Sequence, residues 1–420
     1  MIFHSRKNND SGFSAIEGIL VLLVLLALGG LGWYILNQNK DGNSGKQVDS
    51  SEYNDLAKYH NQFGIDVFKH LNTDTDNLMI SPTSIHLALS MVYNGANGDT
   101  ASAMAKSMGV DGQDINKLNE QSLALIESME NPDENVELKI ANSAWISDQF
   151  EVKTDYTNVI EKYYKAEIST LNFQDPETPN TINSWVDENT NGKITKIIGK
   201  IDPEMVMYLI NATYFKGTWT KEFNPDNTLE KTFTTSDGQQ IQHPLMSRDD
   251  EMDYYEKDNF QAVKLPYGKN KKISFTVILP SDANDYINNL TLEQWSEIQK
   301  GLEEKEGHLE LPKFVSEYET SLMDVLDTLG MGIAFSDMAD FSKISDQPIK
   351  ISEAKHKTFI DVNEEGTEAA AVTSIGEGTT SVQEPPERFS MIVDRPFIYA
   401  ITEEATGEIL FIGAIKNPSN

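Results

Sequence analysis

Near the carboxy terminus, residues 361–380 read DVNEEGTEAAAVTSIGEGTT. From Thr367 to Thr373 every side chain is small or β-branched except Glu368, and the whole stretch lacks proline. The chemistry open to such a segment is insertion into a β-sheet: proline would delete a ladder hydrogen bond, and large or charged side chains would clash with a sheet interior. Strand alternation sharpens the point, placing Thr367, Ala369, Ala371, Thr373 and Ile375 on one face, all small or apolar, with Glu368 and Ala370 on the other. On composition alone a static reading also stands, in which the segment is an exposed Gly/Ala/Thr loop or an edge strand.

Covalent chemistry finds no such support. The sequence holds no G-x-S-x-G elbow, no H-E-x-x-H, no G-x-x-x-x-G-K-[ST] and no G-x-G-x-x-G after a strand. Its seven histidines, His4, His60, His70, His86, His243, His308 and His356, are scattered and read as surface or hydrogen-bonded structural residues. The acidic runs Asp249-Asp250-Glu251 and Glu303-Glu304 read as solvated faces, so no catalytic residue, metal or cofactor is expected. The absence of cysteine excludes disulfides, zinc-thiolate sites and a thiol nucleophile, leaving the fold to packing alone. With 34 basic against 66 acidic residues the net charge is −32, a surface that repels phosphate backbones, and nucleic acid is not an expected partner.

The elements that must carry the segment follow from periodicity. Tyr53, Leu56, Ala57, His60, Phe63, Gly64, Val67, Phe68 and Leu71 fall at helical spacing, and Ser81-Pro82-Thr83-Ser84 starts a second helix containing Ile85, Leu87, Ala88, Met91 and Val92. Short runs rich in β-branched and aromatic residues then read as strands: 136–146, 205–215, 272–280, 308–314, 357–363, 396–402 and 408–415. Helices early and strands late predict an α+β fold with large mixed or antiparallel sheets, one domain over residues 53–420.

The amino terminus is a different kind of sequence. Gly18 to Leu36 carries no charge and is about long enough to cross a bilayer as a helix, while Arg6 and Lys7 ahead of it favour an inside amino terminus and an extracellular main domain. Ser11-Gly12-Phe13-Ser14-Ala15-Ile16-Glu17 resembles the leader of type IV pilin-like proteins, which implies cleavage between Gly12 and Phe13 with Glu17 following in the mature chain. A plain signal anchor with an incidental Glu17 is the alternative. The expected organisation is a leader over 1–12, a transmembrane anchor over 13–36 and a flexible polar linker over 37–52.

Several motifs in order resemble one family, the serpins, inhibitors of serine proteases. VNEEGTEAAA is similar to the hinge of their reactive-centre loop, Glu364, Glu365, Gly366, Thr367, Glu368, Ala369, Ala370 and Ala371. Blocks 81–85, 211–219, 311–314, 339–342, 394–399 and 411–418 are similar to other diagnostic stretches, and the likeness covers 53–418. The resemblance implies a loop held out from a five-stranded central sheet until a protease cuts it, after which the severed part inserts as a strand and the tethered acyl-enzyme is distorted. It also implies a hydrogen-bonded shutter of Ser81, Ser84, Asn211 and His356 beneath the parting strands, and a breach at Trp219 and Glu364 where insertion starts. The sequon Asn211-Ala212-Thr213 lies in a strand that reads as buried, which argues against glycosylation.

In inhibitory members of the family the cut usually follows the fourteenth residue beyond the hinge glycine, so the resemblance implies a scissile bond at Thr380-Ser381, within one or two residues. Small neighbours favour an elastase-like or subtilisin-like serine protease, held in a covalent complex with a monomeric inhibitor; Glu377 and Glu384 leave a glutamate-specific enzyme open. Gly376 and Gly378 add backbone entropy cost to insertion, and Glu377 would face the sheet interior by the same alternation unless it lies near the open end. A non-inhibitory serpin, acting as a binding protein or chaperone, is the competing reading.

Overall fold

The computed structural model describes residues 50–130, 132–367 and 388–419. The leader residues Gly12, Phe13 and Glu17, the span 13–36, most of the linker, hinge residues Glu368, Ala369, Ala370 and Ala371, and the bond Thr380-Ser381 lie outside the described residues. Among the described residues no helix is long and apolar enough to cross a membrane. Ser50–Glu52, read above as linker, form one 3-10 turn. Burial of Tyr53, whose N–H donates to the Ser50 carbonyl at 3.1 Å, ties that turn to the domain.

Among the described residues, eight helices position the sheets: α1 (Asn54–Leu71), α2 (Pro82–Gly95), α3 (Gly98–Ser107), α4 (Ile115–Met129), α5 (Thr154–Tyr164), α6 (Thr178–Asn189), α7 (Ala283–Asn289) and α8 (Leu292–Gly301), besides short helical turns between Met323 and Phe335. The two helices expected from periodicity are α1 and α2. Ser81 caps α2 by accepting from the Ser84 N–H at 3.3 Å, with Pro82 in the first turn where its missing N–H costs nothing. Gly64 lets α1 approach α2, since a Cβ there would lie 2.2 Å from Pro82 Cβ.

The strands are β1 (Leu78–Ile80), β2 (Val136–Ser147), β3 (Glu167–Leu171), β4 (Met207–Thr218), β5 (Leu229–Thr234), β6 (Gln240–Lys257), β7 (Phe260–Tyr267), β8 (Ile273–Pro280), β9 (Glu303–Pro312), β10 (Phe314–Ser321), β11 (Glu353–Val362), β12 (Gly366–Thr367), β13 (Phe389–Ile392), β14 (Phe397–Glu403) and β15 (Glu408–Ile415). They form two mixed sheets. One runs β1-β15-β14-β8-β7-β6-β9-β13 with β5 on β6, and the other, central to function, runs β10-β11-β12-β4-β2-β3. The run read as a single strand over 308–314 is two strands: β9 pairs with β6 as far as Pro312, and β10 then joins the other sheet beside β11. Strands β5, β6 and β7 were not among the runs singled out above, because β5 and much of β6 alternate with charged residues and hide the apolar period.

Helix α2 packs against β15 on one side and against β2 and β4 on the other, so it is apolar and buried over nearly its whole circumference. The opposite face of the central sheet is closed by α6 and the segment after it, where Ile182, Val186, Ile194 and Ile198 meet Trp145, Tyr208 and Ile210.

Candidate functional site

Strands β4 and β11 run parallel and pair directly from Glu353↔Tyr208 to Phe359↔Tyr214. Above that point they part, and β12 lies between them, antiparallel to both, with Val362↔Thr367 on one side and Gly366↔Thr218 and Thr367↔Gly217 on the other. The local cause is a tight reversal after β11. The Asn363 N–H donates to the Gly366 carbonyl at 2.8 Å, and the Asn363 side chain accepts from the Glu365 N–H at 3.1 Å. Gly366 sits at φ +153°, and a Cβ would lie 2.1 Å from the Gly217 carbonyl oxygen, so no other residue fits. The resemblance implied a loop held out from the sheet until cleavage; here Gly366 and Thr367, at the amino-terminal end of that loop, already occupy the sheet. Two parted strands offer ladder groups on both sides, and threonine is small enough to enter. Thr367 is fully buried, with its Oγ1 2.7 Å from the Tyr267 hydroxyl.

Both breach residues hold this turn. Trp219 donates its indole N–H to the Asn363 carbonyl at 3.0 Å and its backbone N–H to the Glu365 carbonyl at 2.9 Å. Glu364, which is buried, accepts from Thr228 Oγ1 at 2.8 Å and pairs with Lys313 Nζ at 2.8 Å. Burial by itself would raise the Glu364 carboxyl pKa, but the hydrogen bonds from Lys313 and Thr228 outweigh it and the net shift is downward. Glu365 lies near Glu222, whose carboxyl is pushed up by burial and by that neighbouring charge. Of the expected hinge, Glu364, Glu365, Gly366 and Thr367 are therefore placed, and the rest lie outside the described residues.

Lower down, all four shutter residues converge. Asn211 of β4 donates its amide to Ser84 Oγ of α2 and to Asn142 Oδ1 of β2, and its Oδ1 is bonded to His356 Nδ1 of β11. The Ser81 N–H donates to His356 Nε2 at 3.1 Å, so the ring proton sits on Nδ1 and is donated to Asn211. Burial drives the His356 pKa down to about 3, which keeps the ring neutral. The arrangement ties together the paired strands β4 and β11, the neighbouring β2 and the helix α2.

Sequence reading missed Asn142 and Tyr267. Asn142 is a polar residue in a strand otherwise buried and apolar over much of its length, a signal that was present; Tyr267 ends a strand the periodicity did not reveal. Among the other histidines, His60 bonds Glu408 at 2.5 Å and lies against His86 with ring centroids 4.2 Å apart, and His308 lies between Asp249 and Glu310 at 3.3 and 2.9 Å. Asn211 and Thr213 of the sequon are both buried.

A family profile described as Serpin (serine protease inhibitor) matches residues 58–418. An uncharacterized serpin-like protein of Methanosarcina acetivorans is 33% identical over 88% of this chain and 88% of its own length. Human neuroserpin is also 33% identical, over 82% of this chain and 87% of its own. The crystal structure of tengpin, a thermophilic serpin in its native state, superposes with a TM-score of 0.80 at 38% identity, covering 89% of this chain and 96% of that one. Human thyroxine-binding globulin, solved in complex with thyroxine, shares the fold with a TM-score of 0.80 at 24% identity, covering 87% of this chain and 99% of that one. With a profile spanning most of its length and a parted sheet already admitting the hinge, this chain belongs to the serpin family.

Proposed function

We propose that the protein is a suicide-substrate inhibitor of a serine protease, which traps the acyl-enzyme by drawing the cut loop into the central sheet between β4 and β11. The observation that carries this reading is the register of β12. Continuing antiparallel from Thr367↔Gly217 and Val362↔Thr367, Ala369 would meet Phe215 and Ile360, Ala371 would meet Thr213 and Thr358, and Thr373 would meet Asn211 and His356. Thr213 and Thr358, and likewise Asn211 and His356, are already opposite one another in the β4–β11 ladder, so insertion needs the strands to part and not to slip. Those four side chains are buried, and an arriving residue must be small. Each new ladder hydrogen bond contributes about 0.5–1.5 kcal/mol, which over a strand becomes a large drive. Glu377 would fall opposite Met207, the first residue of β4, and Ser352, ahead of β11, at the end of the sheet.

The reading extends to a cut at Thr380-Ser381 by an elastase-like or subtilisin-like enzyme, supported by the small residues around it. The uncharged run 18–36 with Arg6 and Lys7 ahead of it supports a membrane anchor that leaves a monomeric inhibitory domain at the cell surface, and Gly12, Phe13 and Glu17 support a pilin-like leader. The test mixes the protein with elastase-like, subtilisin-like and trypsin-like proteases and looks on a denaturing gel for a covalent band. Cleaved loop with free protease in every mixture would end the inhibitory reading and leave a binding role.

A further inference from the structure

We propose that Tyr267 is a positioning residue: its hydroxyl latches Thr367 into the top of the sheet before any cleavage and so sets the point from which insertion starts. The kinetic half of this inference rests on the inhibitory reading; the latch itself does not. Tyr267 ends β7, in the other sheet, and reaches the hinge from beneath. Its ring is immobilised, stacked on Trp219 with centroids 4.4 Å apart at 13° and set edge-on to Phe215 at 5.0 Å. Gly217 makes room for it, since a Cβ there would lie 2.8 Å from Tyr267 Cδ1.

Packing gives no reason for the hydroxyl. Phenylalanine would fill the same space, and the hydrogen-bond partner that the structure gives the phenol oxygen is Thr367 Oγ1 at 2.7 Å. Burial holds the phenol pKa well above its ordinary value, so the group keeps its proton. If Thr367 withdrew, two hydroxyls would lose each other and the buried phenol would be left without that partner. The turn is anchored from the other side by Glu364 on Lys313 and Thr228. Between these two supports, Thr367 is the first side chain inside the gap and the only one of the alternating small set among the described residues.

Hydrogen exchange on the uncleaved protein tests the latch directly. In Tyr267→Phe, which keeps the ring and its stack, protection of the backbone at Gly366 and Thr367 should fall about ten-fold, the ordinary effect of orphaning one buried hydroxyl, while β14 and β15 keep theirs. Thr367→Val should do the same, and the double variant should lose no more than the larger single loss, because both act through one bond. With a protease that forms the covalent complex, Tyr267→Phe should also shift the outcome toward cleaved, uncomplexed inhibitor. Unchanged protection in a folded Tyr267→Phe protein, or additive losses in the double variant, would overturn the latch. A fall in protection without any covalent complex would support the latch and count against the inhibitory reading alone.

Discussion

Replacing Asn211 by alanine should weaken the uncleaved protein more than any other single truncation in the shutter. Its amide group serves Ser84, Asn142 and His356 at once, joining β4 to α2, β2 and β11. Truncation leaves three buried groups without that partner. A single orphaned group costs about 1–3 kcal/mol; because the three share one network their costs do not simply add, and a loss of about 3–5 kcal/mol is expected. With about 2.1 cal/mol/K of unfolding entropy per residue over the compact unit Asp49–Asn420, that is roughly 0.8 kcal/mol per degree, or a midpoint lower by about 4–6 °C. Scanning calorimetry of the intact, uncleaved chain measures it. Ser84→Ala, which removes one partner of the three, should lower the midpoint by about 1–2 °C. Cleaved protein should suffer less from Asn211→Ala, since Thr373 would already have come between Asn211 and His356. A fall below about 1 °C in the uncleaved form, or one no larger than that of Ser84→Ala, would refute the view that Asn211 is the hub.

His356 makes stability depend on pH. Its folded pKa of about 3 lies below the ordinary 6.5, so the unfolded chain binds a proton that the folded chain refuses. Its contribution is complete above about 6.5 and is lost as pH falls towards 3, at up to about 1.4 kcal/mol per unit. Urea midpoints at pH 7 and pH 5 should differ by less in His356→Gln than in the parent; His86, held low by burial and by His60, leaves part of the slope in place. The insertion register predicts opposite fates for two arginines in the hinge. Ala371→Arg would bring a charge between buried Thr213 and Thr358 and should abolish the covalent band, whereas Glu368→Arg would face half-buried Lys216 and Asp361 and should retain it. Equal complex yields for the two would remove the register as the explanation.

What could be read from the residues alone was whatever is local. Ser81-Pro82 marks the start of α2 and alternation separates Thr367 and Ala371 from Glu368, because capping, pleat and side-chain size are properties of a few consecutive residues, whereas the shutter was implied by the family resemblance and not by local pattern. The leader and anchor expected from the sequence lie outside the described residues. Tertiary structure alone decided the rest. Whether the hinge waits outside the sheet or has begun to enter it depends on the parting of β4 and β11, strands separated by more than a hundred residues, and on the room that Gly217 leaves beside Tyr267. Asn142 and Tyr267 acquire their roles from partners at 69 and 100 residues' separation. A hydrogen bond between remote strands is set by register and by the packing beneath it, and neither is written in the neighbourhood of either residue.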